Sequence, residues 1–247
     1  MLLNSGVRSA MCLIVIMMFG LGVTSLWAED DKTDPADKPE GLWNNTNFRG
    51  FGVGFSFMGV AVDPEDLNDW LETENYKEFE SYSLNQTTLY WSFSRNFHCG
   101  VAFYRGDTGW LSKRIGQHGA VESDTIYNSR LELGGIGIIA EYKMRFGHDR
   151  WMFHAGGGLA AMNIELLLEQ TVLDESTTIT RYSASAAALQ LNTGLVYYVC
   201  PFIGLDFELG LLAMNAEEIA LGGVEEHDFP DIELGGAYLG FGLKLHM

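Results

Sequence analysis

Residues 237–247 read AYLGFGLKLHM, an alternation without a break. Ala237, Leu239, Phe241, Leu243, Leu245 and Met247 are apolar, whereas Tyr238, Gly240, Gly242, Lys244 and His246 are small, polar or charged. Side chains on a strand point to opposite faces with period two, so this is a strand with one greasy face and one wet face. Any fold built from such strands must give each face a different solvent.

Seven earlier segments repeat the pattern. The first, FRGFGVGFSFMG, puts Phe51, Val53, Phe55 and Phe57 opposite Gly50, Gly52, Gly54 and Ser56. The second puts Leu89, Trp91 and Phe93 opposite Tyr90, Ser92 and Ser94; the third, from Cys99, puts Val101 and Phe103 opposite Ala102 and Tyr104. The fourth, Arg130 to Phe146, starts with Leu131 and Leu133 and resumes out of phase with Ile136, Ile138, Ala140, Tyr142 and Met144. A bulge at Gly134–Gly135 is expected to restore the phase. Segments starting near Trp151, Ala187 and Ile203 complete a set of eight.

The connections sort by length. Long ones are expected over residues 62–87, 106–128, 169–181 and 213–231, and short ones near Arg95–His98, Gly147–Arg150 and Cys200–Pro201. Long loops at one end and tight turns at the other are the asymmetry of a bacterial transmembrane barrel. Closure removes the unpaired strand edge that hydrocarbon cannot solvate. The expected fold class is therefore all-β: an eight-stranded antiparallel up-and-down transmembrane β-barrel. Trp151, Phe97, Phe146 and Phe202, beside the short turns, are expected to form an aromatic girdle.

The N-terminus fits export to such a place. Arg8 precedes the apolar stretch Met11 to Val23, and small or neutral residues lead to Ala28 and the run EDD. That is the order of a signal peptide over 1–28. Residues 29–45 read as a flexible acidic lead, and 46–247 as the barrel. Losing Arg8 from 15 Lys and Arg against 33 Asp and Glu takes the net charge from −18 to −19. So acidic a chain lacks the cations that phosphate backbones require, which argues against nucleic acid. With Cys12 removed, Cys99 and Cys200 remain, at no metal-ligand spacing.

From Thr46 onward the chain resembles the eight-stranded bacterial outer-membrane barrels of the OmpA/OmpX/OmpW group, on signal peptide, strand count, loop asymmetry and C-terminal strand. The resemblance implies an outer-membrane monomer in contact with lipid, inserted by the barrel-assembly machinery through its last strand. Members typically end in an aromatic residue, whereas this chain ends in Met247.

Inverting the faces would put Glu141, Lys143, Arg145, Asp206, Glu208 and Lys244 in lipid, at about 2–4 kcal/mol for each Arg or Lys at mid-depth. Those charges are therefore expected in the lumen. Eight strands leave an interior only just wide enough for side chains, so the ions must pair. Glu141, Lys143, Arg145, His154, Asp206, Glu208 and Lys244 form the expected network, with Asp206 paired to Lys244 and Gln190 and Asn192 behind them. Opposing glycines on the first and fifth segments make room for large inward side chains.

The first long loop carries eight acidic residues and one lysine between Asp63 and Glu80, interleaved with Trp70, Leu71 and Tyr76 as in a short amphipathic turn. The fourth adds Glu217, Glu218, Glu225, Glu226 and Asp228. Runs of this kind read as solvated faces; their spacing matches no EF-hand calcium loop. Only His118 and His227 belong to long loops, and neither has a serine at motif spacing, so no enzyme, cofactor or metal site is expected. The functional expectation is a non-enzymatic barrel with a plugged, charged lumen and acidic loops, 62–87 and 213–231, available to a surface ligand or partner. The alternative is a narrow channel or carrier for a small, apolar molecule, suggested by the inward Met58, Met162 and Leu212.

Overall fold

The computed structural model describes residues 50–62, 64–93, 96–115, 125–146, 150–172, 176–216, 219–221, 224–225, 229–230 and 232–246. The signal peptide, the acidic lead, His118, His148, His227 and Met247 lie outside them, as do Glu217, Glu218, Glu226 and Asp228 of the fourth loop. The elements are β1 (Phe51–Ala61), α1 (Glu65–Thr73), β2 (Ser81–Ser92), β3 (Phe97–Asp107), β4 (Leu111–Ile115), β5 (Thr125–Phe146), β6 (Trp151–Val172), β7 (Ser176–Cys200), β8 (Ile203–Ala216), β9 (Ile219–Leu221), β10 (Val224–Glu225), β11 (Ile232–Glu233) and β12 (Gly236–His246).

Eight strands pair antiparallel in the order β1, β2, β3, β5, β6, β7, β8, β12, and β12 returns to β1, so the sheet closes into a ring. The alternation then acquires an inside and an outside. Phe55, Phe57, Trp91, Ile138, Leu159, Phe207 and Leu239 stand exposed on the outer wall, Leu239 at 69%. Their neighbours in sequence are buried: Met58, Tyr90, Ile139, Glu208 and Tyr238. Scattered exposed apolar residues are ordinary in a soluble protein, but a continuous belt of them around a closed sheet is the surface of a transmembrane barrel. At the short-turn end Trp91 lies against Phe51 and Phe93 (5.8 Å between centroids in each case), and Trp151 against Tyr197 (4.7 Å). Phe202 is exposed there as well; the Phe146 side chain is outside the described set.

Three expectations are corrected. No bulge interrupts Gly134–Gly135: β5 keeps one register with β3 and one with β6 throughout. Leu131 and Leu133 instead point inward and are buried, because the loop-end half of the lumen is apolar. The first long connection ends earlier than residue 87, since β2 begins at Ser81. The third, expected over 169–181, is mostly paired strand, from Glu169↔Ile179 to Val172↔Ser176. Its Ser and Thr residues are polar on both faces because both faces stand in water, and so they lack an alternation to read.

The first loop folds back over the barrel mouth. In α1, Leu67 and Leu71 are both 0% exposed, as is Phe79 just beyond it. They belong to one buried apolar cluster with the inward Met58, Leu131, Leu133, Ile164 and Leu212. Asn75, with φ 68°, ends the helix in the left-handed conformation that asparagine tolerates. The chain is then latched by Asn68, whose side chain donates to the Phe79 carbonyl (3.1 Å) and accepts from its amide (2.9 Å). Tyr76 stands edge-on to Tyr127, and burial pushes its phenol up to about 12.

Cys99 on β3 and Cys200 on β7 are both free thiols, separated around the ring by β5 and β6. A disulfide needs Cα atoms within about 7 Å. Alkylation of the unreduced protein followed by mass spectrometry is expected to label both; an intramolecular Cys99–Cys200 bridge would contradict this strand order.

Candidate functional site

The short-turn half of the lumen is a column of buried polar side chains. Parity places them there: β5 contributes Glu141 and Lys143, β6 His154, β7 Gln190 and Asn192, β8 Asp206 and Glu208, and β12 Lys244 and His246. Glu141 lies at the centre. It binds the His98 ring, accepts from the Asn192 amide (2.6 Å), and lies 3.4 Å from Lys244 Nζ and 3.5 Å from His154 Nδ1. Asp206 accepts from His154 Nε2 (2.9 Å) and pairs with Lys244 (3.0 Å). Two carboxylates thus share one ammonium and one imidazole, a reciprocal arrangement suited to ions removed from water.

The other three charges expected in this group turn elsewhere. Glu208 accepts from the Tyr238 hydroxyl and from Gln190 (3.4 Å). Lys143 donates to Ser92 Oγ (2.8 Å). The Arg145 guanidinium lies 5.1 Å from the centre of the Tyr198 ring. Close packing is enforced by residues without side chains. A Cβ on Gly194 would lie 2.3 Å from His154 Nε2, and one on Gly210 would lie 2.3 Å from the Tyr238 ring.

Sequence reasoning passed over the tyrosines and two histidines. Tyr104 donates to Gln190 (2.8 Å), Gln190 donates to Tyr238 (2.7 Å), and His246 lies between the hydroxyls of Tyr198 (2.7 Å) and Tyr90 (3.2 Å). The signal was available: Tyr90, Tyr104, Tyr198 and Tyr238 all share parity with the charged residues on their own strands or facing ones. In sequence, parity places them opposite the apolar face, and nothing in the alternation marks them as hydrogen-bonding partners. Gln86, which accepts from Gln190 (3.2 Å), fell inside the overlong first loop.

Little space remains. The cavity beside Glu141, Glu208 and Lys244 has about 20 Å³, room for roughly one water. His154, Asp206 and Glu208 place three potential ligand atoms within 4.8 Å of one another, but the Lys244 ammonium already supplies the positive charge at Asp206. Above the polar column comes the apolar layer, and above that α1.

A closed ring of eight strands, a lipid-facing belt and a polar lumen together define a transmembrane β-barrel of the outer-membrane type. Among solved structures, the chain is similar to Neisserial surface protein A, with 14% identity over 80% of this chain and 97% of that one and a TM-score of 0.43. It is also similar to the outer membrane protein OprG from Pseudomonas aeruginosa (11% identity, 81% and 98% covered, TM-score 0.42) and to the outer membrane protease OmpT from Escherichia coli (10%, 80% and 94%, 0.30). Neither a protein-family model nor a curated protein matches the sequence.

Proposed function

We propose that this chain is a non-enzymatic outer-membrane barrel with a closed lumen, which holds its acidic loop end at the cell surface for envelope structure or contact with a partner. The observation that carries this reading is the seat of α1: Leu67, Leu71 and Phe79 are fully buried against the apolar layer above the ion-paired column. A path for solutes would have to cross both. Among the described residues, His98, His154 and His246 are buried in the short-turn half, away from the loops. The signal peptide over 1–28, insertion through β12 and a monomeric state complete the proposal.

The alternative, a narrow carrier for a small apolar molecule, draws on the inward Met58, Met162 and Leu212, which belong to the apolar layer. Planar-bilayer recording of the refolded mature chain separates the two. The closed reading expects no unitary conductance in symmetric salt, with or without an apolar solute. Stable channel steps would overturn it.

A further inference from the structure

On the outer wall, the strand registers line up one polar row directly above the lipid-facing belt. Asn85, Arg105, Gly134, Asn163 and Ser185 are successive partners across β2, β3, β5, β6 and β7. The next row toward the short turns is Thr87, Phe103, Ile136, Ala161 and Ala187, and the one beyond it is Leu89, Val101, Ile138, Leu159 and Leu189. Phe103, Ile136, Ile138 and Leu159 are exposed there. The row toward the loops carries Asp107, Glu132 and Glu165. Arg130 holds Asp107 (2.8 Å) and Glu132 (3.1 Å), and Arg181 lies 3.8 Å from Glu165.

Arg105 differs from these arginines: it is exposed and makes no salt bridge or hydrogen bond with the described residues, its charge reaching the Asp107 carboxylate only from a distance. Beside it Gly134 leaves a gap, since a Cβ there would meet nothing within 4 Å. On the far side of the gap, Asn163 accepts from Ser185 (3.4 Å) through its carbonyl oxygen, leaving its amide hydrogens for an oxygen acceptor. An exposed guanidinium, a notch and an amide donor thus sit where the apolar belt meets polar wall. Polar residues at this border suit headgroups, and the chain as a whole is strongly acidic, so one cation is conspicuous.

We propose that the notch at Gly134 binds the phosphate of an anionic outer-leaflet lipid, held by Arg105 and Asn163, with its acyl chains lying along Phe103, Ile136 and Ile138. Guanidinium suits this task because its planar donor fork matches phosphate oxygens. The assignment rests on the barrel being embedded in a membrane, and its test checks that separately.

The test is native mass spectrometry of the refolded mature chain in detergent, with diphosphorylated lipid A, phosphatidylcholine or inorganic phosphate as probe. Heat-modifiable migration on gels confirms that each variant is folded. The wild type is expected to retain lipid A in preference to phosphatidylcholine. Arg105→Gln is expected to weaken that retention by about tenfold, the scale of one charge-assisted hydrogen bond. Gly134→Leu, which fills the notch without a backbone clash, is expected to do the same, and Lys77→Gln in the first loop to leave it unchanged. Folded Arg105→Gln and Gly134→Leu proteins that hold lipid A as the wild type does would overturn the site. Inorganic phosphate binding as tightly as lipid A would overturn the lipid as its occupant.

Discussion

Glu141→Ala is expected to cost the barrel about 3–5 kcal/mol in urea refolding equilibria, the scale for breaking one side of a buried ionic group. The residue is 4% exposed and has four partners on four different strands: His98 on β3, His154 on β6, Asn192 on β7 and Lys244 on β12. Removing it leaves Lys244 with Asp206 alone and His98 without its acceptor. Asp206→Ala is expected to cost a similar amount, whereas Asp206→Leu combined with Lys244→Met should recover much of the loss because no orphan pair member remains at that contact. The singles Asp206→Leu and Lys244→Met measured beside that double give a coupling energy. Additive effects would show that the two side chains do not act as a pair. An unaltered urea midpoint for Glu141→Ala would show that the column is solvated in the folded barrel.

The second large effect is expected at the barrel mouth. Leu71→Ala removes a fully buried side chain from the face of α1 that meets the lumen, at about 2–5 kcal/mol. A nine-residue helix has little stability of its own, so that loss is expected to release the segment. Protease protection of residues 62–80 should fall while the heat-modifiable migration of the barrel persists. Asn68→Ala, which breaks the latch to Phe79, should act in the same direction more weakly. Protection in Leu71→Ala equal to the wild type would show that the helix is held by something other than its apolar face.

The strands were legible because lipid and lumen impose opposite demands on alternate residues. β1, β8 and β12 show this most plainly, and the assignment of Asp206 and Lys244 to one wet face came from parity alone. Legibility failed where that contrast vanished. Leu131 and Leu133 read as lipid-facing, and so call for a bulge, because apolar residues also serve the lumen wherever α1 covers it. The outer parts of β6 and β7 stand in water on both sides, so their polar residues read as loop. Within the polar column, strand order and depth pair Asp206 with Lys244, and the two lie 3.0 Å apart; the turn of Glu208, two residues along β8, to Tyr238 is not readable, because it is set by the stagger of neighbouring strands.

The hairpin of β6 and β7 runs for 22 and 25 residues, whereas a tilted strand needs about 9–11 to cross a bilayer. At about 3.3 Å per residue, some ten residues of each strand, ~30 Å of paired backbone, remain once the membrane is crossed. The barrel is therefore also a pedestal. With the loop end outward, this paired mast would lift Val172 and Ser176 clear of the lipid headgroups, so a peptide tag inserted beside Val172 would be read by an antibody on intact cells while the same tag beside Pro201 would stay hidden.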